Sequence, residues 1–440
     1  MLRPAGLVLV AVRSLRRSLA MSAPVLRQKV VVVAGPTAVG KSAAALGLCE
    51  ALDGEIVSAD SVQLYRGLDV GSNKPSAGER ARVAHHLVDA GDPSEPWTAG
   101  EWCRRAVGAI EDCGARGKLA VVVGGTMMYA QWLVRGAPDA PRVTAASAAA
   151  AAALLGPYEA AGDWDEAVAA VALRGAGFRD RALALCANDW YRLSRAVEIE
   201  LDLGEHPAPR GPGRTPLLDP ERYDVRCAFL APGDRAALFH GIDARCDAML
   251  ARGLLGEVAA LRAAGRLPET STAARAIGYR QALDYLVCRR DDAGDGALDA
   301  GARRDAYVDF CRKFRTASRN YAAEQMKWYR RDADFAVVPA GDGAALAALV
   351  AGDRADYEAR RAGDGAARDS LAADKKVMKT FASKPCAAAA DPAALASHLA
   401  AADAAVAVLR VAGGRGDGAR DDDTVRLAAL KRQKRGGEAA

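Results

Sequence analysis

Residues 30–42 read Val30-Val31-Val32-Val33-Ala34-Gly35-Pro36-Thr37-Ala38-Val39-Gly40-Lys41-Ser42, an apolar strand running directly into Gly35-x-x-x-x-Gly40-Lys41-Ser42. This is the spacing of a phosphate-cradling P-loop. Its glycines let backbone N–H groups converge on phosphate oxygens, Lys41 adds a point charge, Ser42 offers a hydroxyl to Mg²⁺, and the next helix presents its positive end. An ordinary strand-to-helix turn has no need of a Lys-Ser pair at that offset. A phosphate-bearing substrate is therefore expected; whether it is ATP, as in a nucleotide kinase or ATPase, the loop alone leaves open.

From Val30 to about Val134, apolar strands (30–34, 55–59, 119–123) alternate with helical stretches (42–52, 101–116). Such alternation predicts an α/β fold, a parallel P-loop sheet with crossover helices and a ligand crevice at the carboxyl ends of its strands. Lys41, Asp60 and Thr126 each follow closely on such an end. Asp60 closes Glu55-Ile-Val-Ser-Ala-Asp60, where an NTPase carries an Mg²⁺-organising carboxylate. Thr126 closes Leu119-Ala-Val-Val-Val-Gly124-Gly125-Thr126, whose glycines allow close approach to the main chain.

Several separated blocks resemble the tRNA dimethylallyltransferases, also called tRNA isopentenyltransferases, of the bacterial or organellar type. They are the phosphate loop, Asp60-Ser61-Val62-Gln63 with Tyr65, Gly67 and Asp69, His86-Leu87-Val88-Asp89 with Asp92-Pro93, and Gly124-Gly125-Thr126 with Tyr129. Further blocks are Asn188-Asp189-x-x-Arg192-x-x-Arg195-Ala-Val-Glu198, Arg245 with Met249, Gly253 to Val258, Ile277-Gly278-Tyr279-Arg280, and Arg319-Asn320-Tyr321-Ala322 with Gln325 and Trp328. The match spans roughly residues 30–332, in the family's order.

The resemblance implies transfer of a dimethylallyl group from dimethylallyl diphosphate to N6 of adenosine 37, beside the tRNA anticodon. In that reading Gly35, Pro36, Thr37, Ala38, Val39, Gly40, Lys41, Ser42 and Arg245 hold the diphosphate, with Mg²⁺ on Ser42. Thr126 hydrogen-bonds the bridging oxygen, and Asp60 accepts the proton of the attacking amine. Asp60, Ser61, Val62 and Gln63 read the adenine. Asp189, Arg192, Arg195, Arg275, Gly278, Tyr279, Arg280, Arg319, Gln325 and Trp328 meet the anticodon stem-loop. Other roles stay open for several: Asp60 as a strand-end Mg²⁺ ligand, Thr126 as a helix cap, Arg245 as a helix-surface charge, and Arg192 and Arg195 as partners of local acids. Two departures bear on affinity: Ala323-Glu324 precedes Gln325 where most members have Lys-Arg, and Gly241 stands where they tend to have arginine.

The 440 residues, 51% of them hydrophobic, suffice for two or three domains with sizeable cores, and the net charge of +5 is modest. The expected divisions are a tail at 1–28, a catalytic core at 29–140 and 206–335, a helical insertion at 141–205 and a partly disordered Ala/Gly-rich extension at 336–440. Alanine-dense stretches near 393–409 are expected to be helical. The nine cysteines form no C-x-x-C pair and read as reduced thiols. Only Cys386 lies in the last hundred residues, which excludes a Cys₂His₂ zinc finger there. Residues 1–28 carry five arginines and no acid, the composition of a plastid or mitochondrial transit peptide; a plain tail would instead imply a cytoplasmic protein. No stretch reads as a membrane span, and a monomer is expected.

Overall fold

The structure, a computed structural model, describes residues 27–95, 97–136, 143–204, 216–268, 271–291, 299–373 and 381–413. The arginine-rich segment before Arg27 lies outside the described residues. The chain forms two compact units, Met1–Val134 with Leu217–Ala440, and Arg135–Pro216. The insertion expected over 141–205 thus extends to both flanking segments.

In the first unit the elements run β1 (Gln28–Ala34), α1 (Lys41–Ala51), β2 (Gly54–Ser58), β3 (His85–His86), α2 (Ala99–Ala115), β4 (Leu119–Val123) and α3 (Met127–Arg135). The second unit holds α4 (Ala145–Ala161), α5 (Trp164–Ala172), α6 (Ala176–Leu183) and α7 (Trp190–Leu203). The first then resumes with β5 (Tyr223–Ala231), α8 (Arg235–Ala251), α9 (Leu254–Ala263), α10 (Tyr279–Asp291), α11 (Ala300–Arg330) and β6 (Phe335–Pro339). It closes with α12 (Gly343–Ala351), α13 (Arg354–Gly363), α14 (Gly365–Ala373) and α15 (Pro392–Gly413).

The sheet is wholly parallel, in the order β3-β2-β4-β1-β5-β6. β1 sits at its centre because valines 30 to 33 are apolar on both faces, and only a strand covered on both sides can bury such a run. Their side chains alternate: Val30 and Val32 enter a core built with α2, α3 and α8 to α11, while Val31 and Val33 meet α1 and α12 on the other face. Parallel pairing brings the carboxyl ends of β1, β2 and β4 to one edge, where the phosphate loop and the Asp60 and Thr126 turns follow. The second unit has its own core, in which Trp164 meets Trp190 edge-on at 5.2 Å, with Leu155, Val171, Leu193 and Val197 around them.

The carboxyl-terminal extension differs from its expectation. A boundary at 335/336 cuts through β6, the sixth strand of the sheet. Arg226, 1% exposed on β5, donates to the carbonyls of Leu349 (2.9 Å) and Gly352 (2.7 Å). The Cys227 N–H donates to the Tyr357 hydroxyl (3.0 Å), which donates in turn to the Asp334 carbonyl (3.0 Å). Helix α15 buries Ala402, Ala405, Val406 and Leu409 in the core that contains Leu254 and Leu286. Alanine-rich sequence looks featureless, yet small side chains permit close helix packing, and this tail completes the fold. Tyr357→Phe would leave the buried Cys227 N–H and Asp334 carbonyl short of a partner. The expected cost is about 1–3 kcal/mol of unfolding free energy, read as a lower urea midpoint at unchanged slope.

Candidate active site

The three strand-end groups face one cavity of about 750 Å³ in the first unit. The phosphate loop contributes Thr37, Ala38, Gly40, Lys41 and Ser42, the β2 turn Asp60 to Gln63, and the β4 turn Gly124 to Thr126. Helix α8 adds Gly241, Ile242, Arg245, Cys246 and Met249, and α11 adds Phe314, Ser318, Tyr321 and Gln325. Gly40 opens α1 at φ 99°, a left-handed conformation in which a side chain is strained.

Charge in the cavity is unbalanced. Burial, and next the positive Arg245, push the Lys41 ammonium down to about 7, while Asp60 acts in the opposite direction. Arg245 is itself lowered by burial. Without a ligand, Lys41 Nζ donates to the carbonyls of Gly35 (2.9 Å) and Pro36 (2.8 Å). Two desolvated cations beside a single carboxylate make a site that gains from a polyanion.

The β2 and β4 turns are tied together. Thr126 Oγ1 accepts the Ser61 N–H (3.0 Å) and donates to Ser61 Oγ (3.3 Å), so this hydroxyl is turned across the cavity floor. Gly124 is required by contact, since a Cβ there would stand 2.0 Å from the Ala59 carbonyl oxygen. Asp60 Oδ1 accepts the N–H groups of Val62 (2.8 Å) and Gln63 (3.2 Å), which holds the carboxylate at the cavity wall. The Gln63 amide is engaged by Ser58 Oγ and by the carbonyls of Ser72 and Asn73.

Four residues expected at the RNA make contacts within the protein. Gln325 is 1% exposed; its Oε1 accepts the Thr37 N–H (2.9 Å) and its Nε2 donates to the Gly125 carbonyl (2.8 Å), which also accepts from Tyr321 (3.1 Å). Tyr279 is buried and donates to Glu257 Oε1 (2.7 Å), while the Glu257 carboxylate accepts the N–H groups of Asp69, Val70 and Gly71. Gly278, at φ 93°, lies buried beneath Phe314. Arg319 is ion-paired with Asp243. Of the four, Gln325 accepts a loop N–H directly, and Tyr279 bonds the carboxylate that accepts three more.

Arg275 and Arg280 are exposed, the former at the cavity wall, and Trp328 is 41% exposed. In the second unit Asp189 caps α7 and pairs with Arg192 (2.6 Å), and Arg195 pairs with Glu198 (2.8 Å). Glu324 is exposed and pairs with Lys327 (3.3 Å). Gly241 faces open space, so the arginine it replaces leaves room and not a packing defect. Sequence reasoning passed over the cavity wall of Ile242, Cys246, Met249, Phe314, Ser318 and Tyr321. Their spacings of three and four residues on two helices were the available signal.

Among the described residues one further cluster has ligand chemistry, Glu55, His86 and Cys113, but Arg116 takes both Glu55 oxygens and the thiol is pushed up to about 11 by burial and then by Glu55. It is a half-buried ion-pair cluster at the amino-terminal end of β2, away from the cavity edge.

Because Gln325 clamps the phosphate loop, Gln325→Leu should raise the Michaelis constant for the phosphorylated substrate about tenfold and cost about 1–3 kcal/mol of stability. RNA affinity should stay within about twofold, the opposite of what an RNA contact would give; steady-state kinetics and filter binding separate the two.

Comparison with known proteins agrees with this geometry. Residues 63–332 match the family model described as IPP transferase, and residues 28–91 that described as Isopentenyl transferase. The tRNA dimethylallyltransferase 9 of Arabidopsis thaliana is 39% identical over 333 residues, 69% of this chain and 70% of that protein. The tRNA dimethylallyltransferase of Halorhodospira halophila is 42% identical over 317 residues, 71% of this chain and 92% of that protein. A eukaryotic dimethylallyltransferase acting on tRNA, solved by crystallography, superposes with a TM-score of 0.55 at 26% identity, covering 74% of this chain and 77% of that one. With a phosphate loop, a strand-end Asp and a Gly-Gly-Thr turn on one cavity, and with identity of this extent, the chain belongs to the tRNA dimethylallyltransferase family.

Proposed function

We propose that this chain transfers the dimethylallyl group of dimethylallyl diphosphate to N6 of the adenosine beside the tRNA anticodon, adenosine 37, releasing diphosphate. The observation that carries this reading is the convergence of Lys41, Arg245, Asp60 and Thr126 on one cavity. The allylic C–O bond breaks as the C–N bond forms, so negative charge grows on the leaving diphosphate. Lys41, Arg245 and the loop N–H groups stabilise that charge, and the Thr126 hydroxyl serves the bridging oxygen. The exocyclic amine is a weak nucleophile because its lone pair is delocalised into the ring. Asp60 accepts its proton, which makes attack feasible.

The donor set fits Mg²⁺. The Ser42 hydroxyl is a hard oxygen donor on the cavity, and Mg²⁺ is usually held by few protein oxygens together with substrate phosphates. When bound, the ion would supply further neutralisation of the leaving group.

The adenine must leave its stack to reach Asp60, and Ser61, Val62 and Gln63 stand where its edges would arrive. Arg275, Arg280 and Trp328 are the exposed groups suited to the anticodon stem-loop. Arg192 and Arg195 sit in surface ion pairs worth less than about 1 kcal/mol each, weak enough for RNA phosphates to displace. We propose that the chain is delivered to a plastid or mitochondrion, on the acid-free, arginine-rich composition of residues 1–28.

Asp60→Asn keeps size and hydrogen-bonding shape but removes the base. Both substrates should still bind, while single-turnover prenylation, read by mass spectrometry of tRNA adenosines, should fall about a hundredfold to ten-thousandfold. A near-normal rate would return Asp60 to a structural role.

Lys41 predicts a pH dependence. Its value of about 7 must rise when a diphosphate arrives beside it. Binding above pH 7 should therefore take up a proton, and affinity should decline as pH rises from 7 towards 9, by up to about tenfold per unit. Calorimetry in buffers of different ionisation enthalpy should find uptake approaching one proton at about pH 8, lost in Lys41→Met.

A further inference from the structure

We propose that residues 381–413, which the family model matched at 63–332 does not reach, act as a strap that positions Arg245 for the diphosphate, with Ser383 as its positioning residue. The proposal rests on the assignment of Arg245 to that anion.

Helices α8 and α11 form two walls of the cavity, and they touch through Cys246 Sγ and Ser318 Oγ (3.4 Å). Along α8, Asp243 and Asp247 each lie two residues from Arg245, about 200° away around the helix. They therefore mark the side of α8 opposite the one that presents Arg245 to the cavity. Both aspartates have a partner on α11: Arg319 binds Asp243, and Arg315 binds Asp247 through both oxygens.

The strap supplies the other half of each set. Ser383 Oγ donates to Asp243 Oδ2 (2.6 Å), and the Ala387 N–H donates to Asp247 Oδ2 (3.0 Å). Arg315 donates onward to the Lys384 carbonyl (2.8 Å). Phe381 packs edge-on against Phe239 (5.3 Å) and beside His240 (4.9 Å), both on α8, and lies under the Arg319 guanidinium at 5.3 Å. Helix α15 anchors the far end: Asp403 accepts from Arg289 of α10 (2.8 Å) and Arg303 of α11 (3.1 Å), and His398 Nδ1 meets the Tyr307 hydroxyl (3.0 Å).

The consequence is geometric. Asp243 is 5% exposed, and a carboxylate so buried settles where its donors converge. With one donor on α11 and one on the strap, it fixes α8 against a three-point frame instead of a single ion pair between two helices. Arg245 rides on the same turn, and a cation that stabilises charge on a leaving group loses effect when it is displaced by even 1 Å.

The test is steady-state kinetics with dimethylallyl diphosphate and unmodified tRNA, alongside tRNA binding and melting temperature, in full-length variants. Ser383→Ala should raise the Michaelis constant for dimethylallyl diphosphate about threefold to tenfold, within the range that coupling through packed elements allows, and leave tRNA affinity within about twofold. Ser383→Thr, which keeps the donor, should restore it. Phe381→Ala should act in the same direction if it remains folded. A fall in melting temperature with no change in that Michaelis constant would make the strap merely structural and overturn the proposal, as would an equal loss of tRNA affinity. Arg245→Ala is the control: if it leaves the constant unchanged, the diphosphate assignment fails; if it raises the constant and Ser383→Ala does not, only the strap fails.

Discussion

One side-chain amide joins the parts of the cavity. Gln325, near the end of the 31-residue helix α11, accepts from Thr37 in the phosphate loop and donates to Gly125 in the β4 turn. Within the loop only the Val39 N–H to Pro36 carbonyl bond (3.3 Å) and the Lys41 ammonium brace the backbone, so an outside group is needed to tie it to the β4 turn. An amide with one donor and one acceptor, delivered from a rigid helix, holds it open at a set width. Everything that places α11 therefore also places the loop, which is why residues far from the cavity bear on it.

Electrostatics follow from this closure. Burial strips water from Lys41 and Arg245, and burial, then the positive Arg245, lowers the Lys41 ammonium while Asp60 opposes the shift. Such a cavity is complementary to a polyanion. The same low-dielectric wall, Ile242, Met249 and Phe314 among its members, suits an apolar allylic chain beside its charged head. Hence affinity and reactivity both draw on desolvation that the helices α8 and α11 supply.

The carboxyl-terminal third shows how a tail of low apparent information becomes structural. Its alanines allow α15 to lie close on α9 and α10, and its few charged and aromatic residues, Phe381, His398 and Asp403, each meet a partner on the core helices. In sequence those residues are isolated. Only the approach of α8, α10 and α11 gives them partners.

The sequence by itself pointed to a parallel sheet and placed the phosphate-loop pattern and the strand-end residues along one edge of it. The four-valine run can be satisfied only at the centre of a covered parallel sheet, and Gly35-x-x-x-x-Gly40-Lys41-Ser42, Asp60 and Gly124-Gly125-Thr126 are local patterns whose positions follow from strand ends. What it did not reveal was direction: whether Tyr279, Arg319 and Gln325 face RNA or the interior, and whether residues beyond 335 belong to the core. Those outcomes depend on pairings between residues far apart in the chain, such as Thr37 with Gln325, 288 positions away. A polar side chain carries no mark of its partner. Which donors and acceptors lie within reach was decided only by the tertiary packing of long helices, because a hydrogen bond needs about 3 Å and the chain alone specifies no distance between segments.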